Sequence, residues 1–137
     1  MDDLKRAKEV LEKEDYTLVL CSGDDIYMSR KRGVAPLVEF LESGKNFSNF
    51  SAADKTVGSG AAHIYVLLGV KSIWAKVISD DAKKLLNDNK IEIFYDNLVP
   101  YIINRTKDGR CPVENCVQGI SDSKEAFLKI KELMLRL

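Results

Sequence analysis

The sequence predicts an α/β protein whose largely parallel sheet is covered by helices. Three observations predict it. In the second half of the chain, apolar segments of strand length alternate with segments of helical period. Near the start, Thr17 to Cys21, the turn residues Ser22-Gly23-Asp24, and Ile26 to Ser29 form a hairpin signal, which makes the sheet mixed. Asp54 to Gly69 is apolar on nearly every side, as a helix is when it is enclosed.

The elements follow in order. Asp2 to Lys13 places Leu4, Ala7, Val10 and Leu11 at helical spacing among charges, the pattern of an amphipathic surface helix. After the hairpin, Gly33-Val34-Ala35-Pro36 leads into a short helix carrying Leu37, Val38, Phe40 and Leu41. A proline in the first turn costs no hydrogen bond, because an N–H there has no partner within the helix. Gly44 closes that helix. Lys45 to Ala53 has no clear period and is expected to be loop. The enclosed helix is expected from Asp54, with Asp54 or Thr56 as its cap and Gly69 at its C-terminus.

Ser72 to Ile78 is expected to be a strand. Ser79-Asp80-Asp81 caps a helix running to about Asn89. Ile91 to Tyr95 is the next strand, and Leu98 to Asn104 is extended or irregular because Pro100 opposes a helix interior. Lys107-Asp108-Gly109 marks a turn. Cys111-Pro112-Val113-Glu114 starts a short helix, with proline first and glutamate third. Asp122 and Glu125 resemble a capping box for the last helix, whose apolar face carries Phe127, Leu128, Ile130, Leu133 and Met134.

Composition bounds the function classes. The 137 residues suit one domain, expected over 1–137. The 21 basic and 21 acidic residues cancel, and the densest basic run is only Arg30-Lys31-Arg32, so nucleic acid is not an expected partner. Val57 to Val70 is too short to cross a bilayer, which takes about 20 residues, so no membrane association is expected. The chain begins Met1-Asp2-Asp3 with no apolar leader. Its three cysteines, Cys21, Cys111 and Cys116, do not make a disulfide framework. A cytoplasmic location is the expectation, and a homodimer is compatible with it.

Several segments together carry a resemblance. Gly33-Val34-Ala35-Pro36-Leu37, Asp54-Lys55-Thr56-Val57-Gly58-Ser59-Gly60-Ala61-Ala62, Asn104-Arg105 and Cys111-Pro112-Val113-Glu114 are similar to the small prokaryotic family called DUF1893, over nearly the whole chain. The resemblance implies a three-layer α/β/α, cytidine-deaminase-like fold with a mixed sheet and a divergent active site.

Deaminase chemistry does not carry over. A zinc deaminase takes a His or Cys ligand and a proton-shuttling glutamate from the start of the buried helix. Its other two ligands come from a Pro-Cys-x-x-Cys run opening a later helix. Here the first segment is Val57-Gly58-Ser59-Gly60-Ala61-Ala62 and the second is Ser79-Asp80-Asp81-Ala82. No metal and no cofactor are therefore expected, and the protein is not expected to be a conventional zinc-dependent deaminase.

The remaining chemistry is weighed residue by residue. His63, the single histidine, suits a core position with a hydrogen-bonding partner better than a ligand or a base. Cys111 at a helix start has the setting of an activated thiol, but no base lies nearby in sequence, so a packed or capping thiol is the plainer role. Asp54 suits a cap, and Lys55 a solvated charge, as well as either suits a ligand contact. Glu114 suits the positive end of a helix. Three helix starts rich in small residues or proline together suggest a site for a small anionic ligand at the carboxyl ends of the strands. The expected contacts are Asp54, Lys55, Gly58, Ser59, Arg105, Cys111 and Glu114. The expected ligand is nucleotide-like, with ADP-ribose as one form. An enzyme using Asp54 or Glu114 as base, with Cys111 or Lys55 as partner, is the second reading. A structural or partner-binding domain is the third, with Phe47 and Phe50 exposed in their loop.

Overall fold

A computed structural model of the chain describes residues 2–103, 109 and 111–136. The elements are α1 (Asp3–Lys13), β1 (Leu18–Ser22), β2 (Asp25–Ser29), α2 (Ala35–Glu42), β3 (Ser51–Val57), α3 (Ser59–Leu68), β4 (Ser72–Ser79), α4 (Asp80–Asp88), β5 (Glu92–Val99), α5 (Pro112–Cys116) and α6 (Ser123–Arg136). The strands form one five-stranded sheet in the order β2-β1-β3-β4-β5. β1 runs antiparallel to both β2 and β3, while β3, β4 and β5 are parallel. The sheet is thus mixed and has helices on both faces.

Each face has its own core. On one side α1 lays Ala7 and Leu11 against Val19, Cys21, Ala53 and Trp74. Asp2 caps this helix, its carboxylate accepting from Leu4 N at 2.9 Å. On the other side lies the larger core, built around α3 and joined by α2, α4, α5 and α6. α3 buries eight of its ten residues, including Ser59, Gly60, Ala61 and Ala62 in its first turns. Small side chains are needed there because α5 packs directly on the helix: a Cβ added at Gly60 would overlap Val113 Cγ1. Gly69 ends α3 in the left-handed region, with φ 72°, a backbone state that costs glycine little.

Three expectations need correction. Ser51 to Val57 is the central strand of the sheet, not loop and the first turn of a helix. Asp54 and Thr56 therefore do not cap α3; Gly58 does, in extended geometry. The segment lacks the β-branched run that marks a strand. Its Ala52 and Ala53 are small because helices press on both sides of it. Phe47 and Phe50 are buried rather than exposed, 1% and 5% accessible. They pack edge-on at 4.9 Å between ring centroids, in a cluster with Tyr27 and Phe40. Finally, β5 continues to Val99, beyond the expected end at Tyr95, because β4 offers pairing partners as far as Ser79.

α4 and α6 match their sequence signals, while Asn104 and the expected turn residues Lys107 and Asp108 lie outside the described residues. Ser79 caps α4, its Oγ accepting from Ala82 N at 3.3 Å. Asp122 precedes α6 and accepts from Lys124 N at 3.2 Å. Among the described residues no helix is long and apolar enough to cross a membrane.

Candidate functional site

Four of the expected residues converge where β3 passes into α3. Gly58 is the cap residue, and a Cβ there would sit 3.0 Å from Ile102 Cγ1 and 3.5 Å from the Glu114 carboxyl carbon. Glu114, in α5, is 4% accessible. Its Oε1 accepts from the Ser59 hydroxyl at 3.4 Å and its Oε2 from Ile102 N at 2.5 Å. Cys111 is half-buried beside it as the residue before α5, its N–H donating to Ile102 O at 2.8 Å. α5 is thus tied to the segment that follows β5, and its glutamate is aimed at the first turn of α3. A carboxylate there faces the positive end of a helix, which compensates part of the cost of burying it.

Asp54 and Lys55 stand apart from this cluster. Asp54 lies on the same face of the sheet, but its Oδ2 accepts from the Tyr65 hydroxyl at 2.6 Å. Tyr65 is six residues along α3 from Ser59, roughly 9 Å of helix axis. Asp54 and Glu114 therefore meet α3 at different levels and share no proton. Burial pushes Asp54 up to about 7, against opposing hydrogen bonds from Tyr65 and from backbone N–H groups including that of Thr56. Tyr65 is itself raised well above the ordinary phenol range by burial and by the adjacent Asp54.

Lys55, the next residue on the strand, points to the opposite face of the sheet. There it pairs with Asp15 at 2.7 Å, in a shallow depression beside Leu11 and Trp74. Strand alternation alone separates Asp54 from Lys55, so the two cannot act as an acid–base couple. Arg105 lies outside the described residues.

The groups with plainer readings behave accordingly. His63 is buried and its Nδ1 is 2.9 Å from Ser123 Oγ, and burial lowers its pKa. Cys116 donates to Val113 O at 3.2 Å, and burial pushes its thiol up, away from nucleophilic use.

A zinc ion of the deaminase type does not fit the residues present. The first turn of α3 offers only Ser59, Gly60, Ala61 and Ala62, and Val113 fills the space above Gly60. At the start of α4, Ser79 is spent on capping. Among the described residues no three His, Cys, Asp or Glu side chains are grouped to hold a metal.

Sequence reasoning missed Tyr65 and Ile102 as partners of the two acids. The apolar period of α3 hides Tyr65 among core residues. Ile102 contributes through its backbone, which no side-chain signal reveals.

Taken together, the fold and site define a mixed α/β domain with a carboxylate seated at the start of its central helix. The family model described as a domain of unknown function, DUF1893 (TM1506), matches residues 6–134, and the chain belongs to that family. It is similar to a DUF1893 family protein (TM1506) from Thermotoga maritima known from a crystal structure. The two share 30% identity and a TM-score of 0.88, over 98% of this chain and 90% of that one. None of the curated proteins matches significantly.

Proposed function

We propose that this is a zinc-free domain of the cytidine-deaminase-like type that binds a small nucleotide-like ligand through Glu114. The element order supports the fold assignment: a helix, a hairpin and a second helix, then strand, helix, strand, helix and strand. The observation that carries the ligand reading is the buried Glu114 carboxylate over the first turn of α3, held by Ser59 and Ile102.

The chemistry of that group narrows the ligand. A carboxylate only accepts hydrogen bonds, so it recognises donors. It also occupies the position at the helix start where a phosphate would otherwise bind, and it repels one. The ligand therefore presents a hydroxyl pair, such as that of ribose, to Glu114 and keeps any phosphates outside. A compound containing ADP-ribose has both parts.

The test is a thermal melt with ADP-ribose, NAD and the corresponding nucleosides. A ligand at a hundredfold excess over its Kd stabilises by about 2.7 kcal/mol, which moves the melt by several degrees. Glu114→Gln is expected to weaken binding by about tenfold, the worth of a hydrogen bond to a charged group. An equal shift in wild type and Glu114→Gln would put the ligand elsewhere. A flat melt with every nucleotide and nucleoside would remove the reading.

A partner-binding role has its own support in the apolar surface along β5.

A further inference from the structure

The two edges of the sheet are unlike. β2 has five residues, is followed by Arg30-Lys31-Arg32, and turns Tyr27 into the aromatic cluster. Short length and charge are the usual protection of an edge against pairing. β5 has eight residues, and no strand lies outside it among the described residues. It exposes Phe94 (49%) and Leu98 (41%), with Tyr95 also open. Among the described residues, most of the exposed large apolar side chains lie on β5 or just after it; the others are Met28 and, on α6, Leu128 and Leu135.

On the α1 side, Phe94 borders an open groove of about 630 Å³ together with Trp74, Lys5, Lys8 and Asp96. α1 covers β1, β3 and β4 but stops short of β5, and this leaves the groove. Lys8 lies over the Trp74 ring at 4.8 Å. Asp2, also at the groove, is engaged in capping α1.

We infer that β5 pairs antiparallel with β5 of a second copy about a two-fold axis at Tyr95, joining the two sheets into one. Charge and the length of the paired run within Glu92–Val99 together select the register. Directly opposite residues in an antiparallel pair share a face, so a two-fold perpendicular to the sheet must pass beside a residue. Centring on Asp96 sets Asp96 against its own copy. Centring on Phe94 sets Glu92 against Asp96. Like charges directly opposite are destabilising. Centring on Tyr95 avoids both and still pairs Glu92 through Leu98. It also places the second copy's Asp96 opposite Phe94, in the groove that carries Lys5 and Lys8, and symmetry repeats the contact. The exposed ring of Phe94 is covered at the same time.

Sedimentation equilibrium or light scattering across the micromolar range tests this. The wild-type chain is expected to be dimeric. Phe94→Asp and Asp96→Lys are each expected to raise the dimer Kd at least about tenfold, as loss of a central contact does. These side chains are exposed, so the folded state survives the changes, which circular dichroism verifies. Combining Asp96→Lys with Lys5→Glu and Lys8→Glu restores the dimer by exchanging the charges. A monomeric wild type overturns the proposal. So does a dimer indifferent to both single changes, which would place the contact elsewhere, for instance on the α6 leucines. Ligand melts at Glu114 are read separately and decide nothing about β5.

Discussion

Asp54 and Glu114 are both buried acids packed against α3, yet they are held in opposite ways. Glu114 comes from outside the sheet, on a five-residue helix, and meets α3 at its positive end, where a hydroxyl and a backbone N–H receive it. Asp54 comes from the middle of the central strand and meets α3 two turns later, among apolar side chains, with the Tyr65 hydroxyl as its chief partner. Glu114 is met by the helix start and its hydrogen bonds; at Asp54 desolvation outweighs the hydrogen bonds it accepts. The comparison teaches that burial alone does not describe an acid's surroundings, since one is met by a helix start and the other by a phenol and backbone N–H groups.

The largest effect that can break this comparison is one of pH. The folded-state value of Asp54 is raised from 3.8 to about 7, so the folded protein keeps a proton that the unfolded chain releases in that interval. Stability is then greatest at the acid end of the window and falls as pH rises through it. At about 1.4 kcal/mol per unit the fall is about 4 kcal/mol. Urea titrations at several pH values are expected to show it, and Asp54→Asn to flatten it. Tyr65→Phe removes the donor that favours the ionised form and extends the decline above neutrality. A wild-type profile as flat as that of Asp54→Asn would mean that Asp54 is solvated.

Glu114→Ala gives the next largest effect. It strands the Ile102 N–H, at a cost of about 2 kcal/mol, the penalty for losing a hydrogen bond to a charged group. Ser59→Ala should cost less, because its 3.4 Å bond is long. Chemical denaturation of the two variants ranks them, and the reverse order would mean that Glu114 is not anchored as described.

Lys55→Ala is the smallest. Its partner Asp15 is exposed, and the pair lies across the sheet from Glu114. Neither the melting temperature nor any ligand-induced shift is expected to change. A lost shift in this variant would bring the α1 face into the site.

Much of the fold was legible because its signals are local. The caps at Ser79 and Asp122, the turn at Gly23, and the glycine at Gly69 each act within a few residues. β3 was not legible, since a strand enclosed by helices on both faces needs small residues, and small residues carry no strand signal. Phe47 and Phe50 sit in a segment without period, and only the arrival of Tyr27 and Phe40 makes a core of them. The site was legible in part: Gly58, Ser59, Cys111 and Glu114 stand together, whereas Asp54 and Lys55, adjacent in sequence, fall on opposite faces.

By itself the sequence determined the class of fold, the enclosure of α3, the core place of His63, and the lack of zinc ligands at the starts of α3 and α4. These follow from which residue types are present and from their local spacing. Tertiary structure alone decided that Glu114 reaches the start of α3, that Tyr65 answers Asp54, and that β5 is the outermost strand on its side among the described residues. Those depend on contacts between segments distant in the chain, such as Ser59 with Glu114, 55 residues apart. Spacing along the chain says nothing about such contacts until the sheet and its helices have set the distances.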